Sequence, residues 1–422
     1  MAQPTYLPVE VVELIIKYAW KTAQFLPLDD YNSADSQFLN PNSITELLRL
    51  RLIGKSWAMI IPPLVLNALE LKSARAKKYV NLLLSSTIKL SNTINLRRLS
   101  LNGVLYLPEN WAVSFVGKVT NEDLLQLNFE HQHSSTHSIR MKDAAKIVSL
   151  CGSSLTDFKI CFTNGVGFSK DFIHVIGNVK TLKVLIIQGS SCQDQMNNSE
   201  SLITVLNAAT ALESLSLKFS KLASLTLDSG ALRHLIHLWV DCHALNHDAV
   251  VDFCHRHGSS IRLLEYVPTD YLNDETPMLL AVKETLEAIF VAMMPDDIPY
   301  ELQDHLFPTL RVLKNMFINP RHEEPLWLTW GIFQEVEVYI TYYSETADYW
   351  RRMLKENHRL EFPKNLKQFI FLTEESNLLG DEILVALLKL RHINCSFEAR
   401  LNYSDILVST KSNLNMRSEV LM

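Results

Sequence analysis

The chain has 422 residues, more than one ordinary core needs and enough for two or more cooperative units. Its hydrophobic content of 47% and charged content of 20% are those of a folded globular protein, and 12 glycines are too few for a Gly-rich nucleotide fold or a linker protein. A formal net charge of −6 gives no general attraction for nucleic acid or anionic lipid, and the basic pairs Lys77-Lys78 and Arg97-Arg98 read as solvated surface.

Six cysteines, at 151, 161, 192, 242, 254 and 395, follow no disulfide framework and favour a reducing, intracellular setting. The opening residues have neither the basic nor the apolar region of a secretory signal, and no apolar run approaches the roughly 20 residues that span a bilayer. The sequons at Asn197 and Asn402 are therefore read as coincidental. No basic nuclear signal stands out, so cytoplasm and nucleus are not separated.

The first predicted helix covers residues 7–20, with Pro8 in its first turn and Glu10 and Glu13 near its positive end. Val11, Val12, Leu14, Ile15 and Ile16 make it apolar over more than one face, so one face packs at home and the surplus calls for a partner. A polar loop follows. Ser43 then reads as an N-cap with Glu46 three residues on, a capping box. The helix it opens carries Ile44, Leu47, Leu48, Leu50 and Ile53 and runs towards Trp57. Pro62-Pro63 ends it or separates it from a short helix over residues 64–71.

This stretch resembles the F-box family through Leu7-Pro8-x-Glu10-Val11 with Ile15, and through residues 48–61, where Lys55-Ser56-Trp57 is similar to the family's basic-x-Trp element. The resemblance implies a small helical bundle docking on a Skp-type adaptor of a cullin ubiquitin ligase. It implies contacts from Leu7, Pro8, Val11, Val12, Ile15, Ile16 and Trp57. The loop over residues 21–42 is longer than the family usually has. The alternative is an apolar end cap for the repeats that follow.

Those repeats fit the template Leu-x-x-Leu-x-Leu. Matches are Leu96/Leu99/Leu101, Leu124/Leu127/Phe129, Leu155/Phe158/Ile160, Leu182/Leu185/Ile187, Leu212/Leu215/Leu217 and Leu235/Leu238/Val240. Weaker ones are Ile261/Leu264/Tyr266, Leu286/Ile289/Val291, Leu310/Leu313, Phe333/Val336/Val338, Leu366/Phe369/Phe371 and Leu390/Ile393/Cys395. Amphipathic helical stretches lie between them. A strand-loop-helix unit buries its apolar edge only by stacking on a neighbour. This portion resembles the leucine-rich-repeat family. The fold class expected is α/β: a leucine-rich-repeat solenoid of parallel strands with outer helices, preceded by a small helical F-box-like module. The divisions are residues 1–72 for the module, 73–398 for the repeats and 399–422 for a C-terminal tail, which is expected to fray over residues 402–422. Residues 222–227 repeat the strand pattern too soon for a full unit, and residues 295–325 read as an irregular loop. The polar positions after the strands, such as Thr163 and His243, read as ordinary loop residues.

No catalytic constellation, P-loop or dinucleotide fingerprint is present; Gly165-Val166-Gly167 reads as a turn. Cys242, His243, His247, Cys254, His255 and His257 tempt a zinc reading, but they lack a C-x-x-C knuckle and read as a buried cysteine with surface histidines. His131, His133 and His137 read as a solvated loop. No metal and no cofactor are called for. By strand alternation, Arg98, Lys159, Lys183, His237, Trp239, Glu337 and Tyr339 should face a protein partner from the concave side. The expected protein is a non-enzymatic adaptor whose partners are a Skp-type adaptor with its cullin scaffold and an unidentified protein substrate, with no nucleic acid and no membrane. A scaffold outside any ligase is the alternative.

Overall fold

The computed structural model describes residues 8–29, 31–72, 96–106, 138–163, 165–189, 198–219, 221–268, 275–293, 299–302, 305–318, 325–356, 360–373 and 380–409. The chain forms two compact units, residues 1–28 with 35–212, and residues 29–34 with 213–422.

The first unit opens with three helices, α1 (Val9–Thr22), α2 (Pro41–Leu50) and α3 (Lys55–Val65). Val12 and Ile16, four residues apart and so on one face of α1, pack with Leu47, Trp57, Ile61 and Val65. α2 starts earlier than Ser43. Asn40 is its cap, accepting from the Asn42 amide at 2.9 Å, and Pro41 fills the first helical position, where it loses no hydrogen bond. The Ser43 hydroxyl instead accepts from the Gln24 amide at 2.9 Å. α3 continues through Pro62 and Pro63 to Val65. The helix expected over residues 64–71 is replaced by that last turn and by a strand, β1 (Ala68–Lys72). Leu66, Leu69 and Leu71 are themselves a Leu-x-x-Leu-x-Leu match, so the sheet begins inside the stretch assigned to the module.

β1 pairs in parallel with β2 (Arg98–Leu105), β2 with β4 (Asp157–Phe162), and β4 with β5 (Val184–Gln188); the short β3 (Ile139–Arg140) joins the far end of β2. Leu69, Leu99, Phe158 and Leu185 share one row of the register, and Leu71, Leu101, Ile160 and Ile187 the next. All eight are buried. Leu124, Leu127 and Phe129 lie outside the described residues, as do His131, His133 and His137, and β2 pairs directly with β4. Helices α4 (Met141–Cys151), α5 (Lys170–Gly177) and α6 (Ser199–Ala208) pack one on the next.

In the second unit β6 (Ser214–Lys218), β7 (His237–Cys242), β8 (Leu263–Pro268), β9 (Ala288–Met293), β10 (Val312–Phe317), β11 (Val338–Tyr342), β12 (Gln368–Leu372) and β13 (Asn394–Glu398) lie in parallel in chain order. Helices α7 (His247–His257), α8 (Thr276–Val282), α9 (Tyr343–Glu356) and α10 (Glu382–Lys389) complete the α/β layering. Leu215, Leu238, Leu264, Ile289, Leu313, Tyr339 and Phe369 form one buried row. Each of the aliphatic members contributes about 1.5–3 kcal/mol on burial. Residues 222–227 form no strand, although Leu222, Leu225 and Leu227 are buried. The expected fraying of the tail is corrected over residues 403–409, which form a helix whose Ile406 and Leu407 pack on Leu263, Ala288, Val312 and Val338.

Hydroxyl groups stitch several turns into the one before. Ser154 donates to the Leu96 carbonyl at 2.8 Å and Thr181 to that of Leu155 at 2.7 Å in the first unit. Thr285 donates to Ile261 at 2.8 Å and Thr309 to Leu286 at 2.9 Å in the second. Each satisfies a carbonyl that the strand ladder leaves unpaired. These hydroxyls precede the strands rather than following them.

Candidate functional site

In the first unit the three-helix module has an inner and an outer face. Val12, Ile16 and Trp57, three of the expected adaptor contacts, are buried and form its core. Leu7 lies outside the described residues. Pro8 is exposed. Val11 is 36% exposed, Leu14 65%, Ile15 40% and Tyr18 71%. Their spacing puts these four helical residues on one stripe of α1. Leu52, Ile53 and Met59 are also strongly exposed. Leu14 and Tyr18 were not among the expected contacts, although the apolar excess of α1 already signalled a second face.

On the sheet of that unit, Arg98 is half-buried and Lys183 is exposed just ahead of β5. Lys159 is bound to the chain itself: its Nζ lies 2.7 Å from Oδ2 of the buried Asp35.

The second unit carries the densest polar arrangement. Glu265 sits between Leu264 and Tyr266 on β8, and strand alternation sends it to the face away from the buried leucine row. Its register neighbours are Trp239 on β7 and Phe290 on β9. One Glu265 oxygen meets Lys314 Nζ at 3.3 Å; the other meets His237 Nε2 at 3.1 Å. Ser214 Oγ holds the opposite ring nitrogen of His237 at 2.7 Å. Lys314 also lies over the Phe290 ring, 4.4 Å from its centre. Burial pushes the Glu265 carboxyl upward, but Lys314, His237 and the Ser33 amide outweigh it and hold the group down at about 2.

Asp29 and residues 31–34 lie on this face. Ser33 donates to Glu265 from its amide at 2.8 Å and from its hydroxyl at 2.9 Å. Trp239 Nε1 donates to the Tyr31 carbonyl at 2.8 Å, Arg400 to the Asn32 carbonyl at 2.9 Å and the Tyr403 amide to the Ser33 carbonyl at 3.2 Å. Asn32 donates to Ser216 at 3.0 Å, and Asp29 pairs with Lys218. His237 stacks on Tyr403 with ring centres 5.2 Å apart.

His237 and Trp239 therefore occupy the expected face but are buried under the chain's own residues rather than open to a partner. Tyr339 is on the other face: it packs on Phe369 at 4.6 Å and on Trp350 of α9 at 5.5 Å, and its hydroxyl bonds Asn315. The inward template there is Val336/Tyr339/Thr341, three positions beyond the reading Phe333/Val336/Val338, because a Tyr and a Thr stand where leucines mark other strands. Glu337 is buried and pairs with Lys367 at 2.8 Å. Glu265, Lys314, Ser33 and Arg400 were missed; a charged residue flanked by apolar strand positions, as in Leu264-Glu265-Tyr266, was the available signal.

Cys242 and Cys254 are both buried, and burial pushes both thiols up, that of Cys254 to about 12, so neither is a thiolate near neutral pH. Among the described residues no group of three or more His, Cys, Asp or Glu is arranged to hold a metal ion. None of the described helices is long and apolar enough to cross a membrane. In comparisons with known proteins, no family model and no curated protein matches the sequence.

Proposed function

We propose that the chain is a non-enzymatic adaptor: an F-box-like module docks on the Skp-type adaptor of a cullin ubiquitin ligase, and leucine-rich-repeat sheets hold a protein substrate. The observation that carries this reading is the stripe Val11, Leu14, Ile15 and Tyr18, an apolar face on a helix whose opposite side already packs on its module. The repeat reading is supported by parallel strands in chain order whose buried positions recur every roughly 23 to 30 residues in the second unit, close to the leucine-rich-repeat period. The action would be positional, raising the local concentration of substrate beside a ubiquitin-conjugating enzyme. Arg98 and Lys183 remain the candidate substrate contacts of the first sheet.

A scaffold outside any ligase is the second reading. It is favoured by the two-residue passage from α3 to β1, which makes the module continuous with the sheet, as an end cap would be. Co-purification of the full chain with a Skp-type adaptor discriminates. Binding by the wild type, lost in the Leu14→Asp, Ile15→Asp double variant, supports the ligase reading. No binding, or binding indifferent to those changes, leaves the scaffold.

A further inference from the structure

The face that holds Asp29 and residues 31–34 has the construction of a peptide site. Its charged groups also hold one another: Lys314 and His237 hold Glu265, and Ser214 holds His237. What the segment adds is mostly main chain. The carbonyls of Tyr31, Asn32 and Ser33 and the amide of Ser33 are each met by a group of the sheet or of residues 400–403. The segment in turn holds its own shape, with the Asn32 side chain accepting from the Ala34 amide at 2.9 Å and the Asn32 amide donating to the Asp29 carbonyl at 3.1 Å. A buried Glu–Lys pair adds little stability over an apolar pair of the same volume; what it provides is selectivity for donors placed like those of Ser33. The other end of the segment adds a charge preference, since Lys218, which also lies over the Trp239 ring at 5.0 Å, pairs with Asp29.

We propose that this face is a binding site for short acidic peptides with a Tyr-Asn-Ser core, and that residues 29–34 occupy it in cis as the chain's own copy of that ligand. A tethered occupant acts at an effective concentration of about millimolar, so a free peptide of equal intrinsic affinity competes poorly until the segment is released. Access of a partner to this face is thereby coupled to release of the loop between α1 and α2. The inference stands apart from whether the helical module docks on a ligase.

The test is fluorescence polarisation with a labelled synthetic peptide of residues 27–37 added to the full chain. Two opened variants are used: residues 29–34 replaced by an equally long Gly-Ser stretch, and Ser33→Asp, which sets a second carboxylate against Glu265. At least one opened variant should unfold cooperatively like the wild type and bind the peptide at least about tenfold more tightly than the wild type does. Adding Trp239→Phe to that variant should weaken binding about fivefold, the worth of the one hydrogen bond it removes. Peptide binding equal in wild type and opened variant overturns the proposal, as does no binding at about 1 mM by a folded opened variant. Failure of both variants to fold also overturns it, because a removable occupant is not required for folding.

Discussion

Replacing Glu265 by Gln removes a charge from a place that water does not reach. The Glu265 side chain is fully buried and that of Lys314 is 3% exposed. The change leaves an ammonium with no counter-ion and weakens two bonds from Ser33 and one from His237. Breaking one side of a buried pair costs about 3–5 kcal/mol, whereas replacing both members by apolar residues is often near neutral. Glu265→Gln should therefore lower stability by about that amount, and Glu265→Leu with Lys314→Met should recover most of it. Urea unfolding followed by tryptophan fluorescence and circular dichroism reads both. The pH dependence supplies a sign. A carboxyl held down at about 2 contributes stability that is complete above the ordinary carboxylate range and is lost as pH falls through 2. The gap between wild type and Glu265→Gln should thus be flat from pH 8 to about 5 and shrink below it. A loss under about 1 kcal/mol at pH 7, or a gap that closes near neutrality, would refute a buried, paired Glu265.

Asp241 behaves oppositely: burial pushes its carboxyl up to about 6, against the pull of Lys218. The folded chain then binds that proton more tightly than the unfolded one, so Asp241→Asn should stabilise at pH 7.5, by about 1–2 kcal/mol, and make no difference near pH 4. Tyr339→Ala should cost about 3–5 kcal/mol as a core deletion, against at most about 0.5 for a surface tyrosine; melting temperatures separate the two. Asp381 caps α10 through the Ile383 and Leu384 amides and pairs with Arg351, so Asp381→Ala should cost about 1–3 kcal/mol by urea titration and Asp381→Asn less. A Cβ at Gly167 would stand 2.1 Å from the Tyr106 ring; Gly167→Ala should lower the melting temperature, and Tyr106→Ala should relieve most of that added penalty.

Much of the architecture was legible because it rests on a repeating apolar row. At matches such as Leu155/Phe158/Ile160 and Leu182/Leu185/Ile187 the strand was found in the expected register, whereas Leu222/Leu225/Leu227, spaced too soon for a full unit, is buried without forming a strand. Reading failed where chemistry departed from leucine. Tyr339 looked like a surface anchor because the template also fits Phe333/Val336/Val338, which turns Tyr339 outward by alternation, and β1 was hidden because the proline pair before it suggested a further short helix. α1 was legible in position, but the one helix read from Ser43 towards Trp57 is two, α2 and α3, and Asn40-Pro41 outcompetes Ser43 as the start of α2. The sheet face was half visible. Alternation placed His237 and Trp239 on it, but nothing local tells that the polar loop after α1 folds onto Glu265, a contact between residues 232 positions apart. The same blindness hid the helix at 403–409, whose Ile406 and Leu407 carry too little periodicity to be seen alone.

Whether residues 31–34 lie on the sheet face is read most directly by hydrogen exchange of the full chain. The Ser33 amide, bonded to Glu265, should exchange as slowly as the ladder amides of β8 and should speed up sharply in Glu265→Gln. Exchange at the rate of an open polar loop in the wild type would contradict the occupied face.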